Sequence, residues 1–149
     1  MLDTYKFIEK YKRISIIGME KNVGKTTLLN KLIADIGTNK KLGLTSIGRD
    51  GEDIDVVTNT DKPRIYVRRG SIIATGRNCL AKCDITKEIL YVTDFTTPMG
   101  SIVIVRALSD GYVDIAGPSY NKQVKIVVEL MEKFGSEISI VDGALGRKS

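Results

Sequence analysis

The sequence predicts an α/β fold, a mostly parallel core into which an antiparallel, strand-rich extension is inserted. Three observations carry that prediction. Over residues 13–47 an apolar strand, a glycine-bearing loop, an amphipathic helix and a second apolar strand follow one another, the order of a βαβ unit. From residue 64 the pattern changes to short strands separated by tight turns. After residue 119 it returns to one amphipathic helix and one buried strand.

Residues 4–12 read as a short amphipathic preface, and 13–17 as the first strand. From Lys25 onward Leu28, Leu29, Leu32, Ile33 and Ile36 recur at helical spacing, and Gly37 stops the helix as a C-terminal cap. A polar turn at 38–41 leads into a second strand at 42–47. That strand opens into Gly48-Arg49-Asp50-Gly51-Glu52-Asp53-Ile54-Asp55, an acidic loop at the carboxyl end of the sheet. Open α/β folds bind ligands there, and the loop is a candidate for magnesium, water or switching.

In the extension, strands at 65–68 and 71–75 flank Arg69-Gly70. Those at 89–93, 102–105 and 112–115 are separated by Thr97-Pro98-Met99-Gly100 and Ser109-Asp110-Gly111. Asp-Gly favours a hairpin, and Pro98 presets the backbone angle of another turn. Residues 78–83 form either a short helix or a turn. Ser119 is the expected N-cap of a helix carrying Val124, Val127, Val128, Leu130, Met131 and Phe134, which Gly135 ends. Residues 138–141 then read as a buried parallel strand with Asp142 at its carboxyl end.

A chain of 149 residues with 42% hydrophobic content can bury a core as one domain, 1–149, with the insertion at about 64–117. The charged start and the lack of a run near the roughly 18 apolar residues of a membrane span predict a cytoplasmic protein. Cys79 and Cys83 lie four apart, not at the spacing of a zinc knuckle or redox pair, and read as reduced thiols. With no histidine, imidazole acid–base chemistry is excluded. The net charge of +5 is dispersed among 18 acids and does not point to nucleic acid. Arg64, Arg68 and Arg69 form the one local cluster, readable as a solvated strand edge or as a contact for an anionic ligand or partner.

The strongest chemical signal is Gly24-Lys25-Thr26-Thr27, between the first strand and the first helix. Gly24 lets backbone amides approach phosphates, Lys25 supplies a point charge to the β and γ phosphates, and the Thr26 hydroxyl can ligate Mg2+. The expected nucleotide-binding segment is Asn22, Val23, Gly24, Lys25, Thr26 and Thr27. One feature departs from the usual phosphate loop: Met19 stands where a glycine is customary five positions before Gly24, with Gly18 one residue further back. Magnesium also calls for an aspartate at the tip of another strand. Asp94 and Asp142 are the candidates, and α/β order favours Asp142 because a helix precedes its strand. Asp50 is the expected carboxylate for positioning water.

Residues 13–56 resemble the metallochaperone and cofactor-assembly branch of P-loop NTPases, including the molybdopterin-guanine dinucleotide accessory proteins. A longer combination is more specific: Val-Gly-Lys-Thr-Thr, Thr-Ser-Ile-Gly-Arg-Asp-Gly-Glu at 45–52, Thr-Pro-Met-Gly at 97–100, Ile-Ala-Gly-Pro-Ser at 115–119 and Val-Asp-Gly-Ala-Leu at 141–145. It resembles the nucleotide-binding subunits of the reactivases that serve lysine 5,6-aminomutase. That resemblance implies an ATP-dependent protein that helps exchange damaged cobalamin on an adenosylcobalamin-dependent aminomutase, together with a second reactivase subunit. Gly24, Lys25 and Thr26 carry over to the family's phosphate loop and Asp142 to its strand-end aspartate.

The expected function is therefore Mg2+-dependent binding and hydrolysis of ATP, or of GTP, coupled to a partner enzyme. A metallochaperone-type GTPase, a small-molecule phosphotransferase and a non-catalytic nucleotide-binding scaffold are the alternatives. Ser149 follows Asp142 by seven positions. The chain is thus expected to be the N-terminal part of a longer protein or to be completed by a partner, with an open sheet edge available for self-association.

Overall fold

The computed structural model describes residues 12–16, 23–36, 39–47 and 64–143. In chain order these form β1 (Arg13–Ile16), α1 (Val23–Ile36), β2 (Leu42–Ser46), β3 (Ile65–Val67), β4 (Ile72–Gly76), α2 (Arg77–Leu80) and β5 (Lys87–Thr97). β6 (Gly100–Ala107), β7 (Gly111–Val113), α3 (Asn121–Lys133) and β8 (Ile138–Asp142) follow.

Six strands make one sheet in the order β1-β8-β2-β4-β6-β5. β1, β8, β2 and β4 run parallel to one another, whereas β6 is antiparallel to both β4 and β5. The fold is thus α/β with a mostly parallel, mixed sheet. A separate antiparallel ribbon pairs β3 with β7.

Alternation along the strands divides the core into two layers, because successive side chains leave opposite faces. One layer joins Leu29, Leu32, Ile33 and Ile36 of α1 to Leu42, Leu44, Ile138 and Ile140 of the sheet, and continues under the ribbon through Ile65, Val67 and Val113. The other joins Val124, Val127, Val128 and Met131 of α3 to Ile72, Ala74, Ile102, Ile104 and Val141. β2 and β4 are buried along their whole length, as parallel strands covered on both faces must be.

Several expected pairings are corrected. The strands around Arg69-Gly70 do not pair with each other, and Asp110-Gly111 does not close a β6–β7 hairpin. Both edges of β4 are taken by β2 and β6, and both edges of β6 by β4 and β5, which leaves neither strand an edge for β3 or β7, and these two pair with each other. The extension is also not wholly antiparallel, since β4 joins the parallel core. Thr97-Pro98-Met99-Gly100 does form the expected hairpin turn, with Thr97 opposite Gly100, between strands longer than expected. Residues 77–80 supply the short helix, and Cys79 and Cys83 are not bonded to each other.

At α3 the N-cap is Tyr120 rather than Ser119, and no side chain caps the helix. Its C-terminus is as expected. Gly135 has φ +119, which only glycine adopts readily, and the amides of Gly135 and Ser136 return to the carbonyls of Glu132 and Met131.

Candidate functional site

The carboxyl ends of β1, β8 and β2 lie side by side, with Ile16 opposite Asp142 and Asp142 opposite Ser46. α1 takes up the chain at Val23, so its amino end carries Gly24, Lys25, Thr26 and Thr27 in its first turns. Amides of a first helical turn have no partners within the helix and present a partial positive charge. No acidic residue occupies that turn to offset it. The helix end and the Lys25 charge together favour an anion.

Asp142 is half-buried at the tip of β8, and its carbonyl accepts from the Ile47 amide at 3.0 Å. It occupies the strand adjacent to β1, in register with Ile16, the last residue of that strand. Asp94 is on β5, at the opposite edge of the sheet with β8, β2, β4 and β6 between it and β1. Asn22, Met19, Asp50 and the rest of the acidic loop at 48–55 lie outside the described residues. For Val23 to Thr27 the description extends to the backbone alone.

A set of small polar residues missed in the sequence organises this end of the sheet. β2 and β4 are in register at Gly43 with Ile72 and at Leu44 with Ile73. Beyond that point the segment 114–117 comes in beside them. Thr75 Oγ1 donates to the Asp114 carbonyl at 3.2 Å and accepts from the Ala116 amide at 2.8 Å. The Gly76 amide donates to the Ala116 carbonyl at 3.0 Å, and the Gly117 amide donates to Ser46 Oγ at 2.9 Å. Thr45 Oγ1 donates to the Ala74 carbonyl at 2.9 Å, tying the two strands together. A side chain at Gly117 would collide with the Ser46 backbone. The available signal was the run of hydroxyls and glycine at strand ends, Thr45-Ser46 and Thr75-Gly76, where an apolar strand would be expected to continue.

This strap delivers the chain to Asn121, so α3 also begins at the carboxyl end of the sheet. A groove of about 380 Å³ runs between α3 and β1, with Val124, Val128 and Val141 in its wall and Arg13, Asn121 and Lys125 as polar members. Across it Arg13 Nε and Nη2 each donate to the Glu132 carboxylate at 2.7 Å. That two-pronged bond, opposed by partial burial, holds the Glu132 carboxyl below its ordinary value of 4.5.

The arginine cluster is split by the fold. Arg64 pairs with Asp84 at 3.1 Å and with Asp114 at 3.5 Å, whereas Arg68 and Arg69 turn to the amino end of the sheet. Asn30 of α1 accepts from the Tyr66 amide at 3.1 Å and so fastens the helix to the β3–β7 ribbon. Among the described residues no helix is long and apolar enough to cross a membrane, and no three His, Cys, Asp or Glu residues cluster as a metal site. Comparison with known protein families, with curated proteins and with solved structures finds no match for the chain.

Proposed function

We propose that the chain is a Mg2+-dependent ATP-binding protein that hydrolyses ATP to drive reactivation or assembly of a cofactor-dependent partner enzyme of the lysine 5,6-aminomutase kind. One observation carries the nucleotide reading: Gly24-Lys25-Thr26-Thr27 opens α1, and the strand next to β1 ends in the carboxylate of Asp142 opposite Ile16. The reactivase assignment is supported by the combination of motifs at 23–27, 45–52, 97–100, 115–119 and 141–145.

In this reading Lys25 and the amides at the start of α1 bind the β and γ phosphates, and Asp50 orients the attacking water. Thr26 and Asp142 would hold Mg2+, which when bound neutralises phosphate charge. A hydroxyl and a carboxylate are hard oxygen donors suited to that ion, and Mg2+ on a nucleotide needs only one or two protein oxygens besides the phosphates. The donor set therefore fits without a larger carboxylate cluster.

The test is equilibrium binding of labelled ATP and GTP with and without Mg2+, measured beside turnover, for the chain and for Lys25→Ala, alone and with the aminomutase. The expected result is Mg2+-dependent binding, preferring ATP, that Lys25→Ala weakens at least tenfold, with turnover raised by the partner. Absence of binding by the intact chain overturns the proposal. Binding without turnover in the partner's presence replaces it with a nucleotide-binding scaffold, and transfer of phosphate to a small acceptor replaces it with a phosphotransferase.

A further inference from the structure

We propose that the amino ends of β2, β4 and β8 form a second anion site, one that takes the phosphoryl group of a small molecule. It lies at the opposite end of the strands from α1's first turn, roughly 15 Å away for five-residue strands, and is independent of the nucleotide reading. Two turns build it. The turn after α1 supplies Lys40 and Lys41, and the turn between β3 and β4 supplies Arg68 and Arg69. Between them is a groove of about 250 Å³, with Ser71 and Glu137 also in its wall.

The backbones that carry these four cations are tightly held. The Lys40 amide donates to the Ile36 carbonyl at 3.0 Å, and the Lys41 amide to Glu137 Oε1 at 2.8 Å. The Glu137 amide returns to the Lys41 carbonyl at 2.7 Å. In the other turn the Arg69 amide donates to Asp110 Oδ1 at 2.7 Å, the Gly70 amide to the Ala107 carbonyl at 2.8 Å and the Ser71 amide to the Arg68 carbonyl at 3.0 Å. Both nearby carboxylates, Glu137 and Asp110, are thus bonded to main-chain amides. Among the described residues none of the four cationic side chains makes an ion pair, in contrast to Arg64 with its two.

Like charges gathered on rigid turns repel one another, and a bound oxyanion relieves that repulsion. Guanidinium forks match the geometry of phosphate oxygens, and the ammonium groups add point charge. The size limits the ligand, because drug-sized molecules occupy pockets of about 300–1,000 Å³. Among the described residues no aromatic side chain lines the groove to stack a base, which argues against a single-stranded nucleic acid. A free phosphate compound or a single lipid headgroup shares the required chemistry.

The test is titration of the isotope-labelled chain with pyrophosphate at low salt, read at assigned backbone amides. Saturable shifts are expected at Lys41, Arg69, Gly70 and Ser71, unchanged in Lys25→Ala. Arg68→Ala/Arg69→Ala should weaken this binding at least tenfold while leaving the far-UV circular dichroism as it is, since both side chains are exposed. Sedimentation with phosphatidylglycerol vesicles separates the sources: co-sedimentation that needs Arg68 and Arg69 assigns a headgroup, and pyrophosphate binding alone assigns a free phosphate. Shifts that survive in the double variant, or no saturable shift at these amides, overturn the proposal. So does binding of a single-stranded RNA that needs Arg68 and Arg69 when pyrophosphate produces nothing.

Discussion

The amide of Gly117 donates to the hydroxyl of Ser46 at 2.9 Å, locking the strap before α3 onto the carboxyl end of β2. Ser46 is 8% exposed, so the bond is shielded from water. Replacing it by alanine leaves a buried amide unpaired, at a cost of about 1–3 kcal/mol. Gly117→Ala drives a methyl group into backbone that cannot move aside and should cost about 3 kcal/mol or more. Urea unfolding of both variants checks this, and a smaller loss for Gly117→Ala than for Ser46→Ala contradicts the close approach.

The sheet order separates the two candidate aspartates, of which the sequence favours Asp142: it ends β8 beside β1, and Asp94 is on β5 at the far edge. Asp142→Asn should weaken Mg2+-dependent nucleotide binding at least tenfold with little effect on binding without Mg2+, whereas Asp94→Asn should leave both within about twofold. Fluorescent-nucleotide titrations across a Mg2+ series measure this. Equal effects of the two variants would reject the assignment of Asp142 to the ion.

Arg13 and Glu132 tie β1 to α3, but their side chains are 46% and 25% exposed, so solvent screens the pair and its worth is about 0.2–1 kcal/mol. The sign of its pH dependence follows from the lowered Glu132 carboxyl. A depressed folded value means the stabilisation is fully present above the ordinary 4.5 and is lost as pH falls through the folded value. Denaturation of the parent chain and Glu132→Gln between pH 7 and pH 3 should give stability curves that converge in acid. Parallel curves would assign no role to the pair.

Cys83 is half-buried, and that burial raises its thiol above the ordinary value of 9.0, with a backbone hydrogen bond acting in the opposite sense. Only the thiolate is alkylated, so iodoacetamide should label Cys83 more slowly than a small thiol at pH 8, with the rate still rising beyond pH 9. Peptide mapping of a labelling time course reads this. An inflection below 9 would contradict the burial.

Local chemistry made much of the fold legible. The apolar period of α3, with Val124, Val127, Val128 and Met131 on one face, marks a helix wherever it packs, and Gly135 marks its end. The helix that opens at Val23 with Gly24-Lys25-Thr26-Thr27 in its first turns and the strand ending in Asp142 follow from residue types within short windows. Tertiary structure alone decided which strands are neighbours, because a strand has only two edges and pairing depends on which remain available. That competition sends β7 to β3 instead of β6, puts Asp142 beside Ile16 and leaves Asp94 at the far edge. It likewise parts Arg64 from Arg68 and Arg69 and gathers the latter with Lys40 and Lys41. Residue patterns within short windows marked most of the helices and strands and the residues proposed here to meet phosphate. Assembly of the sheet, which depends on hydrogen bonds between segments far apart in the chain, decided which of those residues lie at the same end of the strands.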